Sequence, residues 1–151
     1  MFLMRTLTEL DAAALAAFLQ RQPAEYMAYF TPFSFDELEI AKMLQAAQAD
    51  LYIGVFWQDE LAGFLMLRGW DAGYRIPAYG VVIDQASRGL GLGRLTLDAA
   101  KTICRLRHAD TLMLKVHPEN RAAKHLYESA GFVRVSTDPR NGNLVYHCTL
   151  T

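Results

Sequence analysis

The residues best placed to do chemistry fall in two clusters. Arg88-Gly89-Leu90-Gly91-Leu92-Gly93 follows the apolar run Tyr79-Gly80-Val81-Val82-Ile83 and opens into a helix-like pattern near Gly91. A strand that turns through glycines into a helix can cradle phosphate: the backbone comes close, successive N–H groups point inward, and the helix N-terminus adds partial positive charge. The turn therefore suggests an anionic cofactor. Its glycines fall at every second position, unlike the dinucleotide fingerprint, and Gly93 is followed by Arg94-Leu95 rather than the Lys-Ser/Thr of a P-loop. Such a turn can also form with no ligand, since glycine is the default turn residue. The second cluster runs from Val116-His117-Pro118-Glu119-Asn120 to Tyr127-Glu128-Ser129-Ala130-Gly131-Phe132. Asn120 and Tyr127 are nearly two helical turns apart, so they share a face about 10 Å apart along the axis. They could contact one extended ligand, although Tyr127 alone reads equally as a core tyrosine with a satisfied hydroxyl.

The elements that must position these clusters can be read from periodicity and punctuation. Residues 2–8 suit a strand, and residues 11–20 an alanine- and leucine-rich helix. A second helix is expected after Ser34, an N-cap with Glu37 three residues on, and runs to about residue 49. Residues 51–57 and 61–67 read as strands around a Gln58-Asp59-Glu60 turn, and residues 76–84 as the next strand. The helix expected over 91–107 carries an apolar stripe of Leu92, Leu95, Ala99, Ile103 and Leu106. A strand at 111–116 is followed by a helix to Ala130, with Gly131 at its C′ position. Strands at 132–136 and 144–150 close the chain around turn residues 138–143. The strand–helix–strand stretches require a parallel pair near the middle of a mixed sheet.

Composition narrows the class. A chain of 151 residues, 52% hydrophobic and 21% charged, suits one globular domain over residues 1–151. A formal net charge of −1 carries no basic excess that would point to nucleic acid. The apolar runs are too short for a membrane span, and the first residues lack the basic-then-apolar order of a secretory signal. A cytoplasmic protein is expected. Cys104 and Cys148 have no metal-ligand spacing and read as buried small hydrophobes, so no metal is expected.

Taken together, these residues resemble the GNAT superfamily of acetyl-coenzyme A-dependent N-acetyltransferases. Its Gln/Arg-x-x-Gly-x-Gly/Ala hallmark is matched by Arg88, Gly91 and Gly93. Its second hallmark is an asparagine before a helix, then Ala, Leu-Tyr and Gly-Phe. Asn120, Ala123, Leu126-Tyr127 and Gly131-Phe132 match it. The resemblance is firm from about residue 51 to 136, and the element order extends it to the whole chain. It implies an α/β (α+β) fold: a mixed, mostly antiparallel sheet of about seven strands flanked by four helices, with a splayed parallel pair holding the cofactor. It also implies that acetyl-CoA is the co-substrate. Its pantetheine arm would pair with backbone groups of Val81, Val82 and Ile83, and the Val82 N–H would polarise the thioester carbonyl. Its pyrophosphate would meet Arg88, Gly89, Leu90, Gly91, Leu92, Gly93 and Arg94. Asn120 would bond the pantetheine arm, and Tyr127 would protonate the departing thiolate as general acid.

The resemblance leaves the general base open. Where some members carry a glutamate, this chain has Lys115, and the alternative positions on the preceding strand are Pro77 and Tyr79. Tyr79, or His117 through a water, is the candidate base. The acceptor is expected to be a primary amine of a small molecule. A fainter likeness of residues 67–77 to an amino-sugar-acetylating subgroup makes an amino sugar or nucleotide-linked amino sugar the first candidate. Acceptor-binding candidates are Tyr26, Tyr29, Phe30, Phe33, Trp70, Tyr74, Arg75 and Tyr79, and these aromatics would equally serve to pack the helices onto the sheet. A protein N-terminus or lysine is the competing acceptor, and a non-catalytic acetyl-CoA sensor is the competing class. A monomer or homodimer is expected.

Overall fold

The computed structural model describes residues 1–30 and 32–150. The strands are β1 (Phe2–Thr6), β2 (Leu51–Trp57), β3 (Glu60–Arg68), β4 (Ala78–Ile83), β5 (Thr111–Val116), β6 (Val133–Thr137) and β7 (Leu144–Thr149). They form one sheet in the order β1-β2-β3-β4-β5-β7-β6. Pairing is antiparallel except between β4 and β5, which run parallel with Ala78 opposite Met113. The helices are α1 (Ala12–Gln20), α2 (Ala24–Met27), α3 (Glu37–Ala46), α4 (Leu92–Leu106) and α5 (Arg121–Ser129). The mixed, mostly antiparallel seven-stranded sheet is as expected. The four helices become five, because Pro23 opens an extra single turn, α2, within the aromatic segment. Among the described residues no helix is long and apolar enough to cross a membrane.

The chain divides into two compact units, Met1–Met66 with Val81–Gly93, and Leu67–Gly80 with the chain from Arg94 on. In the first, Leu15, Phe18, Leu19, Ile40, Phe64 and Val82 form a core that excludes water almost completely. Gln58 (φ 51°) and Asp59 (φ 67°) join β2 to β3. Two positive φ values in a two-residue loop match the right-handed twist of the strands. Glu60 therefore belongs to β3 rather than to the turn. Helix α3 is capped by Asp36, whose Oδ2 accepts the Glu39 N–H at 3.2 Å, and not by Ser34. Ser34 Oγ accepts the Asp36 N–H instead, one step outside the helix. Aspartate then stands three residues before Glu39, the offset that satisfies an orphan first-turn amide. The helix stops at Ala46 because Ala47 is already extended (φ −63°, ψ 127°).

In the second unit, α4 buries Thr96, Leu97, Ala100 and Cys104. The expected stripe is rotated out of the core: Leu95 is 40% and Leu106 74% exposed. Small residues at positions 100 and 104 allow close approach, whereas the sequence pattern weights the larger leucines. Residues Thr111 to Val116 of β5 pair in register with Thr149 to Leu144 of β7. The β6–β7 ladder shifts register between Arg134 and Ser136.

The crowding around Gly54 on β2 gives a test of the first core. An added Cβ there would lie 2.7 Å from Phe56 Cε2, 2.8 Å from Leu7 Cδ2 and 2.9 Å from Leu61 Cδ2. Overpacking of this kind costs about 1–3 kcal/mol. Gly54→Ala should lower the thermal midpoint by several degrees in a calorimetric melt. An unchanged midpoint would show that the β2–β3 layer yields more easily than its packing implies.

Candidate active site

The glycine turn lies where β4 leaves the sheet. After Asp84 the chain makes a 3-10 turn (Gln85–Ser87), and Arg88 is extended (φ −63°, ψ 151°). Gly89 (φ 81°) and Gly91 (φ 91°) are left-handed, and α4 begins at Leu92. A side chain in that conformation is strained by about 1–2 kcal/mol, so both positions favour glycine. Crowding is not the reason, because an added Cβ at either glycine would meet nothing within 4 Å. The turn is open to solvent, Leu90 is 77% exposed, and Arg88 and Arg94 are also exposed. An open backbone with two left-handed glycines at the N-terminus of a 15-residue helix fits a phosphate group.

A buried side chain holds the start of this turn. Gln22, 7% exposed, accepts the Gln85 N–H on Oε1 at 3.0 Å. Its Nε2 donates to Phe18 O at 3.0 Å and to Asp84 Oδ1 at 3.3 Å. Arg21 Nη2 donates to Leu61 O at 2.9 Å and lies 3.5 Å from Asp84 Oδ2. Gln85 Nε2 returns to Ile83 O at 3.0 Å. None of these residues stands out in the sequence: a glutamine beside a proline carries no signal of burial. The Asp84 N–H donates to Ala62 O of β3 at 2.9 Å. Successive strand N–H groups point to opposite edges. The Val82 N–H therefore shares the β3 side, whereas those of Val81 and Ile83 point away from β3. The Ile83 N–H donates to the Tyr26 hydroxyl oxygen at 2.9 Å.

In the second unit, Asn120 caps α5, its Oδ1 accepting the Ala123 N–H at 3.2 Å. At the other end, Gly131 (φ 95°) donates to Glu128 O at 3.2 Å, and Phe132 N–H donates to Tyr127 O at 3.0 Å. This is a Schellman cap, in which the residue after the glycine also packs on the helix. The packing partner is Tyr127, its ring 5.8 Å from that of Phe132. Lys101 Nζ donates to Ala130 O at 2.6 Å, placing a cation at the helix C-terminus. Tyr127 is 9% exposed and stands edge-on to Tyr79, with ring centroids 6.4 Å apart. Tyr79 Oη donates to Thr96 Oγ1, itself fully buried, at 3.1 Å. His117 Nδ1 accepts the Glu119 N–H at 3.1 Å. Lys115 Nζ lies 2.9 Å from Asp138 Oδ2. Hydrogen bonds from Arg140 first, then Lys115, hold the Asp138 carboxyl well below the usual carboxylate range. Arg94 Nη2 reaches Ser129 Oγ at 3.5 Å.

The acceptor candidates divide between the units. In the first, Phe30 stacks on Phe35, Phe33 meets Phe64 edge-on, and both pack against the core. Tyr26 is half-buried and Tyr29 is 44% exposed. In the second, the Arg107 guanidinium sits 4.5 Å from the Trp70 ring centroid, and Tyr74 is 69% exposed. Arg75 lines a pocket of about 260 Å³ with Ile76, His108, Ala109, Asp110 and Thr111.

A parallel strand pair within a mixed sheet, with an open glycine turn feeding a long helix, defines an α/β protein whose turn has room for a phosphate-bearing ligand. Comparison with known proteins gives the family. The acetyltransferase (GNAT) family model matches residues 13–132, and the chain belongs to that family. It is 45% identical over 60 residues to a mycothiol acetyltransferase of Thermobispora bispora, covering 40% of this chain and 20% of that protein. It is 38% identical over 64 residues to one of Beutenbergia cavernae, covering 42% of this chain and 22% of that protein. These matches thus span about a fifth of the relatives' length. Among solved structures, PaiA N-acetyltransferase from Thermoplasma acidophilum, in complex with coenzyme A, superposes with a TM-score of 0.81 at 16% identity over 99% of both chains. The Escherichia coli ribosomal-protein-S18-alanine N-acetyltransferase gives 0.77 at 20% identity over 100% of this chain and 95% of that one. At these identities the likeness establishes the fold.

The turn gives a paired test. Gly91→Ala should cost about 1–2 kcal/mol of stability through its φ and weaken coenzyme A binding about tenfold. Gly142 is also left-handed (φ 76°) with open space around it, so Gly142→Ala should carry a similar folding cost and leave that affinity unchanged. Equal affinities in titration calorimetry would dissociate the turn from the ligand.

Proposed function

We propose that the protein is an acetyl-CoA-dependent N-acetyltransferase acting on a primary amine of a small molecule, with an amino sugar or a sugar-linked amine as the first candidate. The observation that carries this reading is the open, left-handed glycine turn at the start of α4 in a chain of the GNAT family. The bound donor supplies an acetyl thioester. The main-chain N–H groups of residues 88–94 take its pyrophosphate. The backbone of β4 at Val81 and Ile83 takes the pantetheine arm, as in strand addition. The edge that faces away from β3 belongs to Val81 and Ile83, so the amide that polarises the thioester carbonyl is Val81 N–H rather than that of Val82. Asn120 spends its Oδ1 on the helix cap and offers Nδ2 to the arm. Tyr127 donates its phenolic proton to the leaving sulfur, as a phenol that is protonated at neutral pH can.

The incoming amine must lose a proton as its nitrogen bonds the acetyl carbon. Of the groups nominated as base, Tyr79 donates its hydroxyl hydrogen bond to Thr96, and His117 Nδ1 is engaged by the Glu119 N–H. Lys115 is paired with Asp138. We therefore assign the deprotonation to bulk water acting on a weakly basic acceptor. A ring-bound amino-sugar nitrogen fits, because neighbouring oxygens withdraw electrons from it. Curated relatives named for acetylation of mycothiol support a small acceptor.

Two measurements test the reading. Tyr127→Phe should lower kcat about 10²-fold or more while leaving acetyl-CoA affinity within a factor of about two; an unchanged kcat removes Tyr127 from the mechanism. With amines of graded basicity, the rising limb of kcat/KM against pH should follow the pKa of the acceptor. A limb fixed near one value for every acceptor would identify an enzyme base instead. Thiol release with peptides but not amino sugars would transfer the activity to proteins, and tight acetyl-CoA binding without turnover would make the domain a sensor.

A further inference from the structure

Tyr26 packs against the core of the first unit and also bonds β4, whose end has other ties. The strand end is already tied by Gln22 to Gln85 N–H and by Asp84 N–H to Ala62 O. Tyr26 comes from α2, a single turn of four residues whose N-cap, Pro23, makes no side-chain hydrogen bond. A helix this short has little stability of its own. Its buried anchor is Met27, while Ala24, Glu25 and Ala28 are exposed. Yet its tyrosine oxygen reaches the Ile83 N–H, the last of the β4 amides that point away from β3. A buried N–H without a partner is costly, so a strand awaiting a ligand carbonyl gains from a temporary acceptor. Burial raises the Tyr26 pKa, which keeps the phenol neutral, as a stand-in for a neutral amide carbonyl must be.

We infer that Tyr26 is an internal stand-in for the donor's pantetheine carbonyl: its hydroxyl oxygen caps the Ile83 N–H until an amide carbonyl of the incoming arm takes over that hydrogen bond. The inference rests on the donor reading above. No covalent change is involved; one acceptor replaces another on the same N–H. The exchange releases the Tyr26 hydroxyl and loosens α2 from β4 only after the donor has arrived. Tyr26 thus couples donor occupancy to the segment that carries Tyr26, Tyr29 and Phe30.

Tyr26→Phe keeps the ring and deletes the competing oxygen. In calorimetric titration its acetyl-CoA and coenzyme A dissociation constants should fall about five- to tenfold relative to wild type. The amide resonance of Ile83 should differ between the two proteins when free and coincide when both are saturated with coenzyme A. In wild type alone, coenzyme A should move the Ile83 amide and the Tyr26 ring resonances together, which keeps the test valid should the variant fold poorly. Affinities equal within twofold, weaker binding by the variant, or an Ile83 amide indifferent to coenzyme A would each overturn the exchange. A wild-type protein that binds neither acetyl-CoA nor coenzyme A would overturn the donor reading as well, whereas binding with an unmoved variant would overturn the exchange alone.

Discussion

The direction in which β4 leaves the sheet depends on one buried amide. Gln22 uses both ends of its side chain: Oε1 takes the Gln85 N–H, and Nε2 serves Phe18 O and Asp84 Oδ1. The end of α1 and the start of the 3-10 turn are thereby fixed to each other, and the Arg21–Asp84 ion pair at 3.5 Å adds a second tie. Removing that side chain would strand a backbone N–H and a carbonyl, each costing on the order of 1–3 kcal/mol if left buried. More consequential is geometry. Gly89 and Gly91 can adopt many conformations, and their left-handed φ values specify a cradle only if the residue that enters the turn arrives from a fixed direction.

The same logic recurs at Tyr127. Its ring is placed by the termination of its own helix: the Schellman cap at Gly131 brings Phe132 back onto it, Lys101 holds the last carbonyl, and the Tyr79 ring stands at right angles to it. Tyr79 is in turn fixed by a hydroxyl bond to Thr96, a polar residue with no exposure on the buried face of α4. In both units a nominated position is held through backbone termini rather than by a ring of charged side chains.

What was legible in the sequence follows from how far each signal reaches along the chain. Asn120 as a cap, Gly131 as a helix stop and the glycines of the turn are local devices, and each sits where its residue type demands. The β2–β3 hairpin and β5 were equally plain, because their apolar runs are bounded by turn residues. The buried face of α4 was not, since Leu95 and Leu106 compete with Leu97, Ala100 and Cys104 and only the partner surface decides between them. Ser34, the expected cap, stands two residues before Asp36, whose oxygen takes the first-turn amide in the fold. Gln22 and Thr96 were invisible for the same reason: a polar residue becomes structural only when its partner arrives from elsewhere in the chain. Phe30 and Phe33 carry the reverse lesson, since aromatic density in an irregular segment was spent on packing.

A cradle made of main-chain groups has a further consequence for how such a protein can diverge. Backbone N–H groups and helix dipoles do not depend on side-chain identity, so the turn tolerates replacement everywhere except where φ is positive. Such tolerance is consistent with a fold that superposes on PaiA N-acetyltransferase with a TM-score of 0.81 while sharing 16% of its residues. Side-chain identity then matters most where neither packing nor a cap consumes it: within the first unit Phe30 and Phe33 are taken up by ring packing while Tyr29 is 44% exposed, and within the second Tyr79 is held by Thr96 while Tyr74 is 69% exposed.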